Sequence, residues 1–128
     1  IDFFFIHEPK KKIKDVDKLI QWLQKQKNDK KIGTWGFAGS KKYFIKWIDQ
    51  TNVVPPLLQI KSESGDLVNL TGYENLHQIS YGFISHINKP KNNEIKNIFL
   101  NAFKNRPNHS IIVSTNKIKN LEFIKSIL

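Results

Sequence analysis

The stretch that most constrains the fold is Lys31-Ile-Gly-Thr-Trp-Gly-Phe-Ala-Gly-Ser40. Its apolar residues fall on both parities from Ile32 to Phe37. A strand of that kind is buried on both faces, as in a parallel sheet covered by helices. A Lys-rich helix end leads into it, and small residues lead out. Those small residues let a backbone or a ligand approach closely before a helix that begins at about Lys41. The segment is one βα unit, and the rest of the chain repeats its plan.

Before it, Ile1 to Ile6 reads as a buried strand, followed by His7-Glu8-Pro9 and a Lys10–Lys12 loop. Asp15 or Asp17 caps a helix running to about Asn28, with Val16, Leu19, Ile20 and Leu23 on one face. After it, a helix from Lys41 to Gln50 buries Phe44, Trp47 and Ile48. Pro55-Pro56 stops any helix there, and Leu57 to Ile60 is the next strand. Lys61 to Leu76 is polar and turn-rich, with Ser64-Gly65-Asp66 as its tip and at most one helical turn near Tyr73 to Leu76. His77 to Ile84 forms another strand, around Gln78-Ile79-Ser80-Tyr81. Asn92 or Asn93 begins a helix carrying Ile95, Ile98, Phe99, Ala102 and Phe103 at helical spacing. Pro107-Asn108 breaks that helix, Ser110 to Val113 is the last strand, and Asn116 to Leu128 is the last helix, with Leu121, Ile124 and Leu128 on one side. Trp22, Trp35 and Trp47 are expected in the core or between helix and barrel.

About five strands thus alternate with helices in the βαβ rhythm of a parallel sheet. A doubly wound nucleotide domain would carry G-x-G-x-x-G after a strand, and Gly33, Gly36 and Gly39 do not have that spacing. A barrel is favoured, but a set of about five strands cannot close one built on eight. The expected fold is α/β: a partial (β/α)8 TIM barrel, about five parallel strands with outer helices, formed by residues 1–128 as one partial domain. The opening Ile, inside a strand-like run, suggests a chain missing its beginning.

The net charge is +10, from 21 Lys+Arg against 11 Asp+Glu. All the cations but Arg106 are Lys, whereas base-specific readers rely heavily on Arg. Most of this charge is therefore expected at solvated surface. A small basic module binding nucleic acid or another anion, with Lys10–Lys12 and Lys25–Lys31 as its patch, is the alternative. The absence of Cys fits a reducing compartment, and a cytoplasmic location is expected. No apolar run approaches the roughly 20 residues that cross a bilayer, so no membrane is expected as a partner.

Taken together, the segments resemble the C-terminal part of the aldo-keto reductases. Asp2-Phe3-Phe4-Phe5-Ile6-His7-Glu8-Pro9 resembles the family's fourth strand, and Lys31 to Gly39 its fifth-strand signature. Gln59 stands at the sixth-strand Gln, Ile79-Ser80-Tyr81-Gly82-Phe83 at the seventh-strand segment, and Ile111 to Asn116 followed by Leu121 at the eighth strand and its helix. The resemblance implies an oxidoreductase exchanging hydride between NADP(H) or NAD(H) and a small carbonyl or alcohol substrate, with no nucleic-acid partner.

In the family's catalytic tetrad of Tyr, Lys, Asp and His, only the His falls within this stretch, as His7. The other three belong to earlier strands, so this chain is expected to be an inactive fragment lacking the N-terminal half of the barrel. Gln59 would hold the nicotinamide carboxamide and Tyr81 would stack on the ring, followed by Gly82 and Phe83. Ala38 and Gly39 replace a Ser-Asn pair, leaving backbone contact there. Ser114, Thr115 and Asn116 would hold phosphate at the helix start, and Asn120 stands where an Arg usually meets the adenosine 2′-phosphate. A degenerate reductase that binds dinucleotide without turnover is a further reading. Taken singly, His7, Gln59 and Tyr81 also suit a strand-end imidazole, an interior amide and a core aromatic.

Overall fold

β-branched and aromatic residues recur in short runs, and the stretches between them, three of them helical and the other spanning residues 62–76, are long enough for the crossovers that parallel pairing requires. The computed structural model, which describes residues 1–8, 13–62, 68–84, 91–105 and 109–127, has this arrangement. The strands are β1 (Phe3–His7), β2 (Thr34–Gly39), β3 (Leu57–Lys61), β4 (His77–Tyr81) and β5 (Ser110–Ile112). The helices are α1 (Val16–Asn28), α2 (Lys41–Thr51), α3 (Asn92–Asn105) and α4 (Ile118–Ile127). The sheet order is β1-β2-β3-β4-β5, and every pair is parallel. Spatial order follows chain order without reversal, which is the progression of a barrel; a doubly wound sheet reverses at a switch point. The sheet is open, with β1 and β5 as its edges.

Ile6, Phe37, Leu58 and Gln78 lie in one row across the sheet. They belong to the face that the helices cover. There Trp35, Phe37, Leu58 and Ile60 pack with Leu23 of α1 and with Phe44 and Trp47 of α2, while Val68 and Leu70 close the layer. The aromatic rings meet at angles: Phe37–Phe44 and Phe44–Tyr73 are edge-on, with centroids 6.0 and 5.4 Å apart. The Trp47 indole N–H donates to the Val53 carbonyl at 2.7 Å, so this buried ring keeps its polar atom bonded. Gly36 is needed where β2 meets β3: a Cβ there would run into the Leu57 carbonyl oxygen.

Several boundaries depart from the sequence expectation, each for a local reason. β2 begins at Thr34, two residues after Ile32, and runs on through the small residues to Gly39. Ile32 is buried, but its N–H and that of Lys31 both turn back to the Gln26 carbonyl, so they finish α1 instead of joining the ladder. β1 starts at Phe3 and extends to His7. α4 starts at Ile118, not Asn116, and the Thr115 hydroxyl accepts the Lys117 N–H at 3.2 Å in the turn just before it. Of the two capping candidates for α1, Asp15 serves, accepting the Lys18 N–H at 3.1 Å. Trp22 is 46% exposed and packs edge-on against Phe4 of β1, between helix and sheet, whereas Leu121, expected on the inward side of its helix, is 50% exposed. Lys10–Lys12, the Ser64–Asp66 tip, Pro107-Asn108 and Leu128 lie outside the described residues.

Candidate functional site

Parallel βα units carry the C-terminal ends of all their strands to one rim. His7 ends β1, Tyr81 ends β4 and Ile112 ends β5. The register places His7, Ala38, Gln59, Ile79 and Ser110 in one row, and Tyr81 and Ile112 one row nearer the rim on the same face. That face is opposite the one sealed by the helices. Alternation along each strand therefore separates a packed outer face from a concave inner one, and His7, Ala38, Gln59 and Tyr81 belong to the inner.

These residues line a cavity of about 510 Å³, together with Gly82, Phe83 and Ser114. That is the size range of small-molecule sites. Much of its lining is apolar: Phe83 stacks on Phe99 of α3 with centroids 6.1 Å apart, and Ile84, Ile112 and Val113 add to it. Its polar groups are few. The side chains of His7, Gln59 and Tyr81 make no hydrogen bond to another described residue, so an imidazole, an amide and a phenol face the same space with their bonding capacity unspent.

A second hollow of about 480 Å³ adjoins the first, sharing Ile84, Val113 and Ser114. It lies between α3 and α4 and takes in Thr115, Lys119 and Asn120. Thr115 and Asn120 are tied to one another: the Asn120 amide donates to the Thr115 hydroxyl at 2.9 Å. Lys119 is the single cation in this lining among the described residues.

Of the residues singled out from the sequence, His7, Ala38, Gln59, Tyr81, Gly82, Phe83 and Ser114 are brought together in the first cavity, and Thr115 and Asn120 in the second. Gly39 and Asn116 border neither. Gly39 points to the other face of β2, beneath Glu8, and Asn116 is exposed. Sequence reasoning missed Phe99, Ile84, Ile112 and Val113 as lining residues, while Lys119, considered with Lys117 as a stand-in for the absent phosphate-binding Arg, does line the second hollow. Phe99 stood out as part of the α3 stripe, but periodicity says which face is buried, not what it is buried against. The Lys25–Lys31 stretch proposed as a basic patch is partly neutralised, since Lys25 and Lys31 both approach the Asp29 carboxylate, at 3.9 and 3.6 Å. Among the described residues no group of His, Cys, Asp or Glu is arranged to hold a metal ion, and no helix is long and apolar enough to cross a membrane.

No protein-family model matches the chain, and no curated protein is similar to it in sequence. Solved structures are similar to it in fold. An aldo/keto reductase from Brucella melitensis superposes with a TM-score of 0.69 at 12% identity, over 100% of this chain and 55% of that one. Gox0644 in its apo form gives 0.59 at 13% identity, over 100% of this chain and 53% of that one. MGS-M4, an aldo-keto reductase enzyme from a Medee basin deep-sea metagenome library, gives 0.51 at 13%, over 99% and 59%. This chain thus spans between half and three-fifths of their lengths, and its fold is that of part of the aldo-keto reductase barrel.

Proposed function

We propose that this chain is the C-terminal portion of an aldo-keto reductase-type enzyme whose parent exchanges hydride between NADP(H) or NAD(H) and a small carbonyl or alcohol. The observation that carries the reading is the convergence of His7, Gln59 and Tyr81, all with free polar groups, on one cavity at the C-terminal rim of a parallel sheet. The donor set fits a nicotinamide. Gln59 offers an amide's paired donor and acceptor to a carboxamide, and Tyr81 offers a ring face. When bound, the nicotinamide ring supplies or accepts the hydride.

His7 is the candidate catalytic residue here: its imidazole donates to the carbonyl oxygen as negative charge builds there, orienting the substrate and stabilising that charge. In the second hollow Ser114, Thr115, Lys119 and the first free N–H groups of α4 suit an anionic phosphate. No group in this constellation is placed as the proton donor of the family's tetrad. The reading therefore assigns that role to earlier strands of the parent, which would also cover the concave face. The 128-residue chain alone is expected to be inert, and its Cys-free composition suits a cytoplasmic parent.

NADPH and NADH titrated against the complete protein, followed through the fluorescence of the reduced nicotinamide, test the reading. Saturable binding that weakens several-fold in Gln59→Ala and Tyr81→Ala is expected. Absence of saturation with either cofactor overturns it. Tight binding of short DNA instead, falling steeply with salt, would transfer the assignment to a basic nucleic-acid module.

A further inference from the structure

Glu8 follows His7 directly, and its contacts join three parts of the rim. Its N–H donates to the Ala38 carbonyl at 3.0 Å, carrying the β1–β2 pairing one step past the strand end. Its backbone then takes a φ of 23°, a positive value that a residue bearing a Cβ adopts only where its surroundings impose it. The side chain folds back over β2 and lies on Gly39. A Cβ at that position would collide with the Glu8 Cγ and stand 2.9 Å from Oε1. Glu8 Oε1 accepts the Ser40 N–H at 2.8 Å in a half-buried bond between residues 32 apart in the chain.

Ser40 is the N-cap of α2, and Ser is among the residues best able to cap a helix with its own hydroxyl. Its side chain makes no cap bond. Instead the Glu8 carboxylate, from a neighbouring strand, accepts the N-cap residue's own N–H, where the positive end of the helix favours it. What the long-range bond adds is a tie between the end of β1 and the start of α2, at the residue next to His7.

We infer that Glu8 is a positioning residue: its bond to the Ser40 N–H holds the strained backbone after β1, and so fixes the His7 imidazole at the mouth of the cavity. Released from that bond, the residue at position 8 relaxes to an ordinary φ and the imidazole turns with it. Gly39 is the matching half of the device, since any side chain there displaces the Glu8 stem. The meaning of the device rests on the role proposed for His7, but its existence does not.

NMR of the full chain without cofactor tests it, reading Ser40 amide exchange and the His7 imidazole signals through a pH titration. In Glu8→Ala the Ser40 amide is expected to exchange roughly tenfold faster, the worth of a charged hydrogen bond read through local opening. The His7 signals should move while those of the Phe44–Ile48 segment stay. Glu8→Gln keeps an acceptor oxygen at the same reach and should restore both readouts. Glu8→Asp keeps the charge but falls short, and should behave like the alanine variant. Gly39→Ala should reproduce the His7 change with Glu8 intact. His7 signals unmoved in Glu8→Ala overturn the inference, as does an aspartate variant indistinguishable from wild type. Should the alanine variant not fold, the Gln and Asp variants decide. Failure to bind NADPH would remove the functional reading and leave this result standing.

Discussion

Inside the sheet, β2 is buried along five consecutive residues, and α1 and α2 bring Leu23, Phe44 and Trp47 to 0–2% exposure. At the far edge, β5 has three residues, two of them exposed, and α4 has no buried residue at all. Both are βα units. They differ in neighbours. β2 lies between two strands and beneath two helices, whereas β5 has β4 on one side only. A strand's faces are covered by the layer packed on it and by its neighbours' side chains, so a unit inside the sheet beneath two helices is sealed, while one at the edge beneath a helix with no buried residue is left open. The candidate site spans this divide. His7, Ala38 and Gln59 stand against the sealed half, and Ser114, Thr115 and Asn120 on the open one. The nicotinamide end of the proposed ligand would meet a preformed wall, and its phosphate end an element that binding has yet to stabilise.

Removing one side chain from each half puts the contrast to the test. Phe44→Ala should cost about 3–5 kcal/mol, the range for a buried ring in a close-packed core. Leu121→Ala should stay within about 0.5 kcal/mol, as for an exposed position. Urea unfolding of the two variants measures both, and similar losses would show that α4 is packed as tightly as α2.

Next in size is the behaviour of the edges. Phe3 on β1 is 52% exposed and Ile112 on β5 is 43% exposed, and unpaired apolar edges invite pairing with other chains. The isolated chain is expected to self-associate in sedimentation experiments, and Phe3→Lys combined with Ile112→Lys to reduce this strongly. A monodisperse wild-type monomer with a sharp cooperative transition would mean the open edges are tolerated, and the contrast is then one of packing alone.

The smallest effect belongs to the sealed half. The Lys18 side chain, 2.8 Å from the Asp15 carboxylate, and then the Lys18 N–H hold this carboxyl below its ordinary value. A group whose folded pKa is lowered stabilises above its unfolded pKa and loses that contribution as pH falls through the folded one. The protection of the Lys18 amide, its exchange taken relative to the intrinsic rate at each pH, should therefore fall progressively as pH drops below the ordinary carboxylate range. Asp15→Asn, which still caps but does not titrate there, should abolish the dependence. An unchanged acid profile in the Asn variant would remove Asp15 as its source.

Much of this architecture was legible in the residues. Apolar runs on both parities require burial on both faces, which a parallel sheet with covering helices provides. The i, i+3, i+4 stripe from Ile95 to Phe103 places a helix whatever its surroundings. His7, Gln59 and Tyr81 were singled out by the resemblance to the aldo-keto reductases, and the parallel βα plan implied that they face one rim. Other features were not local properties. Ile32 is as apolar as any strand residue, yet its N–H belongs to α1, because the helix end and the strand compete for the same backbone group. Trp22 sits on an amphipathic helix and meets Phe4 of the edge strand, which leaves its ring half-exposed. Ala38 and Gly39 are both small, and only the register sends one into the cavity and the other beneath Glu8. Glu8 carries no signal in the sequence beyond its charge; its partner is the Ser40 N–H, 32 residues away. Periodicity dictates which face of an element is buried, because it is a property of consecutive residues. Which group meets which across elements depends on register and on neighbours at both edges, and those exist only once the chain has folded.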